Sequence, residues 1–318
     1  MKLRALAPGK VNLCLLMGGV RRDGRHEVVT VYESVSLCDE LSLSMADGGV
    51  DEVVCPGVEG PNLVAAALDA LRAGGWSAPP VRIEVHKRIP VAGGMAGGSA
   101  DAAAALRLAA AVCEPPAGPV ERVAASLGAD VPSQLSAGVA IGTGAGEIVE
   151  RVGPLEPHAF AIVPLSFWLS TAEVYREADR LGAVRTAGEL RSALGALREA
   201  AGRAGSEAVG RPGSGDRVGG ALPASLAGVN DLQPAALSLR PEIGDALDAV
   251  RAGGADGAFV SGSGPTVVGM FAGGACRERA SAAAADLAAR YPGACDAVPV
   301  DERVGQPSPR SGTIEART

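Results

Sequence analysis

The sequence predicts an α+β protein of two lobes, and three observations carry that prediction. At 318 residues the chain exceeds the size at which one hydrophobic core keeps growing, so division is expected. Period-two apolar alternation is interleaved with Ala- and Leu-rich runs, which mixes strands and helices in the first half. The pattern restarts after Gly153-Pro154, giving a first lobe over 1–155, a second over 156–300 and a polar tail over 301–318.

Each element has its own warrant. Val11, Leu13 and Leu15 alternate as a half-buried strand, and so do Val81, Ile83 and Val85, with Arg82, Glu84 and His86 between them. Asn62 is a helix N-cap before an apolar run that stops at Gly74-Gly75. A second helix is predicted from about Ser99 through Val112, where Glu114-Pro115-Pro116 breaks it. A third lies between Pro119 and Leu127, closed by Gly128. Ala159 to Val163 reads as a strand. From about 185 to 222 the composition shifts to Ala, Gly, Arg and Ser, which predicts a flexible insertion, most linker-like from Gly202 to Gly220. Helical periodicity returns with Leu237, Ile243, Leu247 and Val250, and a last helix is expected around Ala280 to Ala289. The tail carries two prolines and is expected to be disordered.

Composition narrows the function. A net charge of -7 and 3% aromatic residues give no footprint for nucleic acid. Six scattered cysteines form no C-x-x-C pair, so neither a zinc site nor a disulfide framework is signalled and a reducing cytoplasm is expected. The longest uncharged stretch, Ala258 to Cys276, is too rich in glycine for a membrane span, and the N-terminus shows no secretory h-region.

Four segments carry chemistry. Pro90-Val91-Ala92-Gly93-Gly94-Met95-Ala96-Gly97-Gly98-Ser99-Ala100 joins a predicted strand to a predicted helix. Its glycines allow close backbone approach, and free N–H groups at the helix start suit a phosphate. Ser99 stands where a Walker A loop needs Lys, so this is another kind of cradle, or else a plain turn. Lys10, in Ala7-Pro8-Gly9-Lys10-Val11-Asn12, is one of only three lysines among 29 basic residues. A compact ammonium there suits a transferring phosphate; a solvated strand-edge lysine is the alternative. Asp130, in Leu127-Gly128-Ala129-Asp130-Val131-Pro132, reads as a helix N-cap or as a catalytic base facing Lys10. Ser261-Gly262-Ser263-Gly264 is a second close-approach loop or the turn of a β-hairpin.

These pieces, with Arg21-x-Asp23-Gly24-x-His26 and Asn230-Asp231-Leu232, resemble the GHMP small-molecule kinases over roughly Ala7 through Phe271. The resemblance implies an ATP-binding lobe like the second domain of ribosomal protein S5 and a ferredoxin-like α/β second lobe, with the active cleft between them. It implies ATP with Mg²⁺, held at Pro90 through Ala100, and Lys10 with Asp130 as the catalytic pair. The combined motifs are most similar to the branch that phosphorylates the 2-hydroxyl of a cytidine-diphosphate-linked methylerythritol. Asn12, His26, Tyr175 and Gly262 then fall at substrate-binding positions, Tyr175 stacking on the cytosine. Arg25 stands where the family has an aromatic residue, so a guanidinium plane is expected in its place, and Ser133 and Gln134 replace a more apolar continuation. The magnesium ligands and the oligomeric state are open at this point. The competing readings are a homoserine or mevalonate type of GHMP kinase and a silent ATP- or sugar-binding sensor.

Overall fold

In a computed structural model, which describes residues 2–58, 60–91, 93–115, 119–208 and 220–309, the chain opens on a long antiparallel ribbon of β1 (Lys2–Val20) and β2 (His26–Met45). Register shifts in β1 at Pro8/Lys10, Asn12/Cys14 and Met17/Val20 bend the ribbon, as extra residues in one strand do. The second half of β2 pairs with β4 (Val81–His86), which pairs in parallel with β3 (Glu52–Val54). The first half of β2 pairs with β5 (Val139–Thr143), and β5 with β6 (Ile148–Arg151).

Helices α1 (Leu63–Ala73), α2 (Gly97–Val112), α3 (Pro119–Leu127) and the single turn α4 (Val131–Gln134) cover one end of this sheet. Asn62 caps α1, its side chain accepting from Val64 N at 2.8 Å, and Gly74 ends it. Val64, Leu68 and Leu71 pack with the Ala-rich face of α2 onto Ala5, Ala7, Leu41, Ile83 and Val85. Small Ala side chains let helix and sheet approach closely.

The second lobe runs β7 (His158–Val163), α5 (Thr171–Arg180), α6 (Ala187–Ala208), α7 (Gln233–Leu239), α8 (Glu242–Ala252), β8 (Gly257–Val260), β9 (Val267–Ala272), α9 (Cys276–Ala288) and β10 (Cys295–Ala297). Its four strands pair antiparallel in the order β10-β7-β9-β8, which is 4-1-3-2 along the chain, the ferredoxin-like arrangement. Ala159, Ala161 and Phe271 face α9. Phe160, Ile162, Phe259 and Val268 face the other way and pack with Val29, Val31 and Ile141 of the first sheet, so the two lobes share a core.

Two expectations are corrected. The segment from 185 to 222 is not a flexible insertion throughout: α6 occupies Ala187–Ala208 and buries Leu190 and Leu197 in the shared core. The i, i+3, i+4, i+7 spacing of Leu190, Ala193, Leu194 and Leu197 is helical, but glycine and arginine in the composition obscure it. Residues 209–219 of the predicted linker lie outside the described residues. The tail is ordered as far as residue 309, where β11 (Ser308–Pro309) pairs with Leu3 and Arg4 of β1; 310–318 lie outside the described residues.

Candidate active site

Lys10 and Asn12 share one face of β1, and the bulges beside them turn that face into a cleft of about 990 Å³ between the lobes. Lys10 is 4% exposed. Its Nζ donates to Gly94 O at 2.9 Å and to Asn12 Oδ1, and it lies 5.9 Å from the centre of the Tyr32 ring. Asn12 Nδ2 in turn donates to Thr30 Oγ1 at 2.8 Å, and that hydroxyl donates to Cys14 O at 2.6 Å. The chain of donors orients the amide so that its oxygen faces the ammonium. Burial pulls the Lys10 ammonium below its ordinary value of 10.5, and the charge of Asp130 opposes that shift.

Asp130 precedes α4 in the N-cap position, yet its side chain makes no capping hydrogen bond. The carboxylate lines the cleft beside the Tyr32 phenol, which burial first and the Asp130 charge second hold well above its usual range. The turn behind Asp130 is fixed from its C-terminal side, where Arg107 donates to Gln134 O at 2.7 Å and Arg151 to Ser133 O at 2.6 Å.

The glycine-rich segment forms the floor. Gly94 has φ +76° and leaves no room for a side chain: a Cβ there would lie 2.4 Å from Ser261 O. Ala96, left-handed at φ +54°, is the N-cap of α2, which starts at Gly97, two residues before the predicted Ser99, with no side-chain cap. The first-turn N–H groups at Gly97, Gly98 and Ser99 thus face the cleft without a protein capping group. Pro90, Val91 and Gly93 also line it, whereas the side chains of Met95 and Ala100 turn into the two cores; Ala92 lies outside the described residues. The second loop, Ser261–Gly264, does join β8 to β9 as a hairpin, and it also docks on the first, Ser261 Oγ donating to Gly94 O at 3.2 Å. A Cβ on Gly262 would sit 3.3 Å from Lys10 Nζ.

At one end of the cleft His26 stacks on Tyr175, ring centroids 5.0 Å apart and planes inclined by 25°, and pairs with Asp179 at 2.9 Å. The Arg25 guanidinium lines the cleft as well and is bound to Asp23, at 2.9 Å and 3.1 Å. At the other end lie Lys87 and Asp101, which sequence reasoning passed over. Lys87 Nζ bridges Asp39 and Asp101, the latter at 2.7 Å. The signal was available: Lys87 is another of the three lysines, and Asp101 directly follows the glycine-rich segment. Tyr32 and Thr30 also went unnoticed, for want of any motif around them.

Comparison with known proteins agrees with this geometry. The profile of the GHMP kinases N terminal domain matches residues 62–139 and that of the GHMP kinases C terminal domain matches residues 211–293. A 4-diphosphocytidyl-2-C-methyl-D-erythritol kinase of Thermobifida fusca is 42% identical over 274 residues, covering 81% of this chain and 83% of the relative. The protein of the same name in Streptomyces coelicolor is 41% identical over 277 residues, 84% of this chain and 86% of the relative. A crystal structure of 4-(cytidine 5'-diphospho)-2C-methyl-D-erythritol kinase superposes with a TM-score of 0.68 at 30% identity, over 94% of this chain and 99% of that one. A homoserine kinase from Cytophaga hutchinsonii superposes at 0.61 with 15% identity over 96% of each chain, a likeness of fold alone.

Proposed function

The chain belongs to the GHMP kinases, in the family of the 4-diphosphocytidyl-2-C-methyl-D-erythritol kinases, and from that membership we infer that it transfers the γ-phosphoryl group of ATP to the 2-hydroxyl of 4-(cytidine 5'-diphospho)-2-C-methyl-D-erythritol. The observation that carries the reading is the pairing of a buried ammonium, Lys10, with an uncapped carboxylate, Asp130, above a glycine cradle in one cleft. Phosphoryl transfer needs positioning and charge stabilisation more than covalent chemistry, and these groups supply both.

The cradle fits a triphosphate: free N–H groups at the start of α2 face the cleft, and glycine at 94 lets the second glycine loop pack directly against the first. Asp130 takes the proton from the 2-hydroxyl as its oxygen forms the new bond to phosphorus; the bond to the β-phosphate oxygen breaks and ADP leaves. Lys10 offsets charge on the transferring group. Two of its N–H groups are engaged by Asn12 and Gly94, and the third is available to a ligand oxygen. Tyr175 and His26 offer the aromatic surface for the cytosine. Magnesium accompanies the nucleotide; among the described residues no cluster of three His, Cys, Asp or Glu side chains is built to hold a metal, which suits an ion carried largely by phosphate and water. Among the described residues no helix is long and apolar enough to cross a membrane, and we place the reaction in the cytoplasm.

Relatives of about 40% identity favour this substrate over homoserine or mevalonate. Facing Lys10 and Asp130 argue against a silent sensor. The test is phosphorylation with ATP against the cytidylyl substrate, homoserine and mevalonate in parallel. Transfer to the first alone is expected; transfer to either of the others without the first overturns the assignment.

A further inference from the structure

The Asn230-Asp231-Leu232 motif has no part in the chemistry described so far, yet it lies between the two halves of the site. Its backbone runs beside β1, with Leu15 N donating to Val229 O at 2.8 Å and Asp231 N to Leu15 O at 2.9 Å. Asp231 tightens that attachment by accepting from Met17 N at 2.9 Å and from Nε and Nη2 of the Arg185 guanidinium at 2.6 Å and 2.8 Å. β1 is the strand that carries Lys10 and Asn12.

Asn230 points the other way. Its buried Nδ2 donates to Val260 O and to Gly262 O, both at 2.8 Å, while Oδ1 accepts from Leu232 N at 2.9 Å. One side chain must donate twice and accept once in this place, which an amide does and a carboxylate or hydroxyl does not. Gly262 is the residue whose Cα faces Lys10 Nζ and Asn12 Oδ1, and its neighbour Ser261 shares the Gly94 carbonyl with Lys10.

We propose that Asn230 is a positioning residue for phosphoryl transfer: by holding the carbonyls of Val260 and Gly262 it keeps the second glycine loop seated over the Lys10 ammonium, fixing the direction of that group and keeping water from it. The proposal rests on the role given to Lys10 above. The groups that face Lys10 are Asn12 on β1, Tyr32 on β2, the Gly94 carbonyl, Asp130 ahead of α4 and Gly262 of the hairpin, and of these only Asp130 and Tyr32 titrate. Lifting the hairpin therefore changes the hydration of Lys10 without removing a charge.

Three lysines in the chain make this measurable by NMR on protein labelled at lysine Cε, the Lys10 signal being assigned by its loss in Lys10→Arg. In Asn230→Ala the titration midpoint of Lys10 is expected to move up toward 10.5 from its lowered position in the wild type. With ATP and the cytidylyl substrate, kcat is expected to fall about tenfold to a hundredfold while the KM for ATP stays within about threefold. Asn230→Ser, which keeps one donor, takes the same measurements if the alanine variant does not fold, and is expected to lie between the two. A lowered melting temperature with the Lys10 midpoint and kcat unchanged would overturn the proposal. A shifted midpoint in a protein whose wild type does not phosphorylate the cytidylyl substrate would sustain the placement of Asn230 and sink the substrate assignment instead.

Discussion

Asp130 occupies the start of a helical turn that its side chain does not cap, and a carboxylate released from that duty is free to act as a base. Asp130→Asn is expected to lower kcat by roughly 10²–10⁴ with little change in KM for the acceptor, measured by steady-state kinetics. A change in melting temperature alone would return the residue to a structural role. Asp101 offers a second test. Burial first and the Asp39 charge second push its carboxyl up to about 7, against the pull of Lys87. The folded protein thus holds a proton there that the unfolded chain, near 3.8, releases; the resulting stabilisation is complete below 3.8 and is lost as pH rises through about 7. Thermal melts at pH 5 and pH 8 are expected to show a larger fall for the wild type than for Asp101→Asn. Lys10 and Asp130 could be picked out in the sequence because scarcity and a local motif marked them. Lys87 and Asp101 carried signals of the same kind, but their joining with Asp39 did not, since only the fold brings residues 39, 87 and 101 together.

Helices α1 and α3 and strand β4 were legible because their signals are local: a cap, a proline, a glycine stop, an alternation with one wet face. β2 was not. From Val28 to Val35 it is buried on both faces, so period two disappears from its sequence, as it does in strands covered on each side. The α6 segment failed for the opposite reason, its polar composition outweighing a narrow apolar stripe. That correction can be checked directly: Leu197 is 2% exposed in the shared core, and Leu197→Ala is expected to cost about 2–5 kcal/mol in denaturant unfolding. A mobile insertion would tolerate the change at no measurable cost.

The shared core makes the two lobes one mechanical body around the cleft, and a buried pair reinforces it: His158 at the start of β7 meets Glu33 of β2 at 2.6 Å. Burial lowers the His158 pKa, but the hydrogen bond and charge of Glu33 outweigh it, leaving the value raised. The stabilisation is therefore present below 6.5 and lost as pH rises through the raised value, so His158→Gln is expected to lower the melting temperature more at pH 6 than at pH 9. The placement of lysines has a further consequence for the molecule as a reagent sees it. Lys2 is exposed at the start of β1, while Lys10 and Lys87 sit inside the cleft with their ammonium groups engaged, and the outer surface draws its positive charge from arginine. An acylating reagent meets Lys2 first, and its next lysine is a cleft residue. Stoichiometry of labelling and loss of turnover then become two readings of one event, and bound nucleotide should separate them by shielding the second site while leaving the first to react.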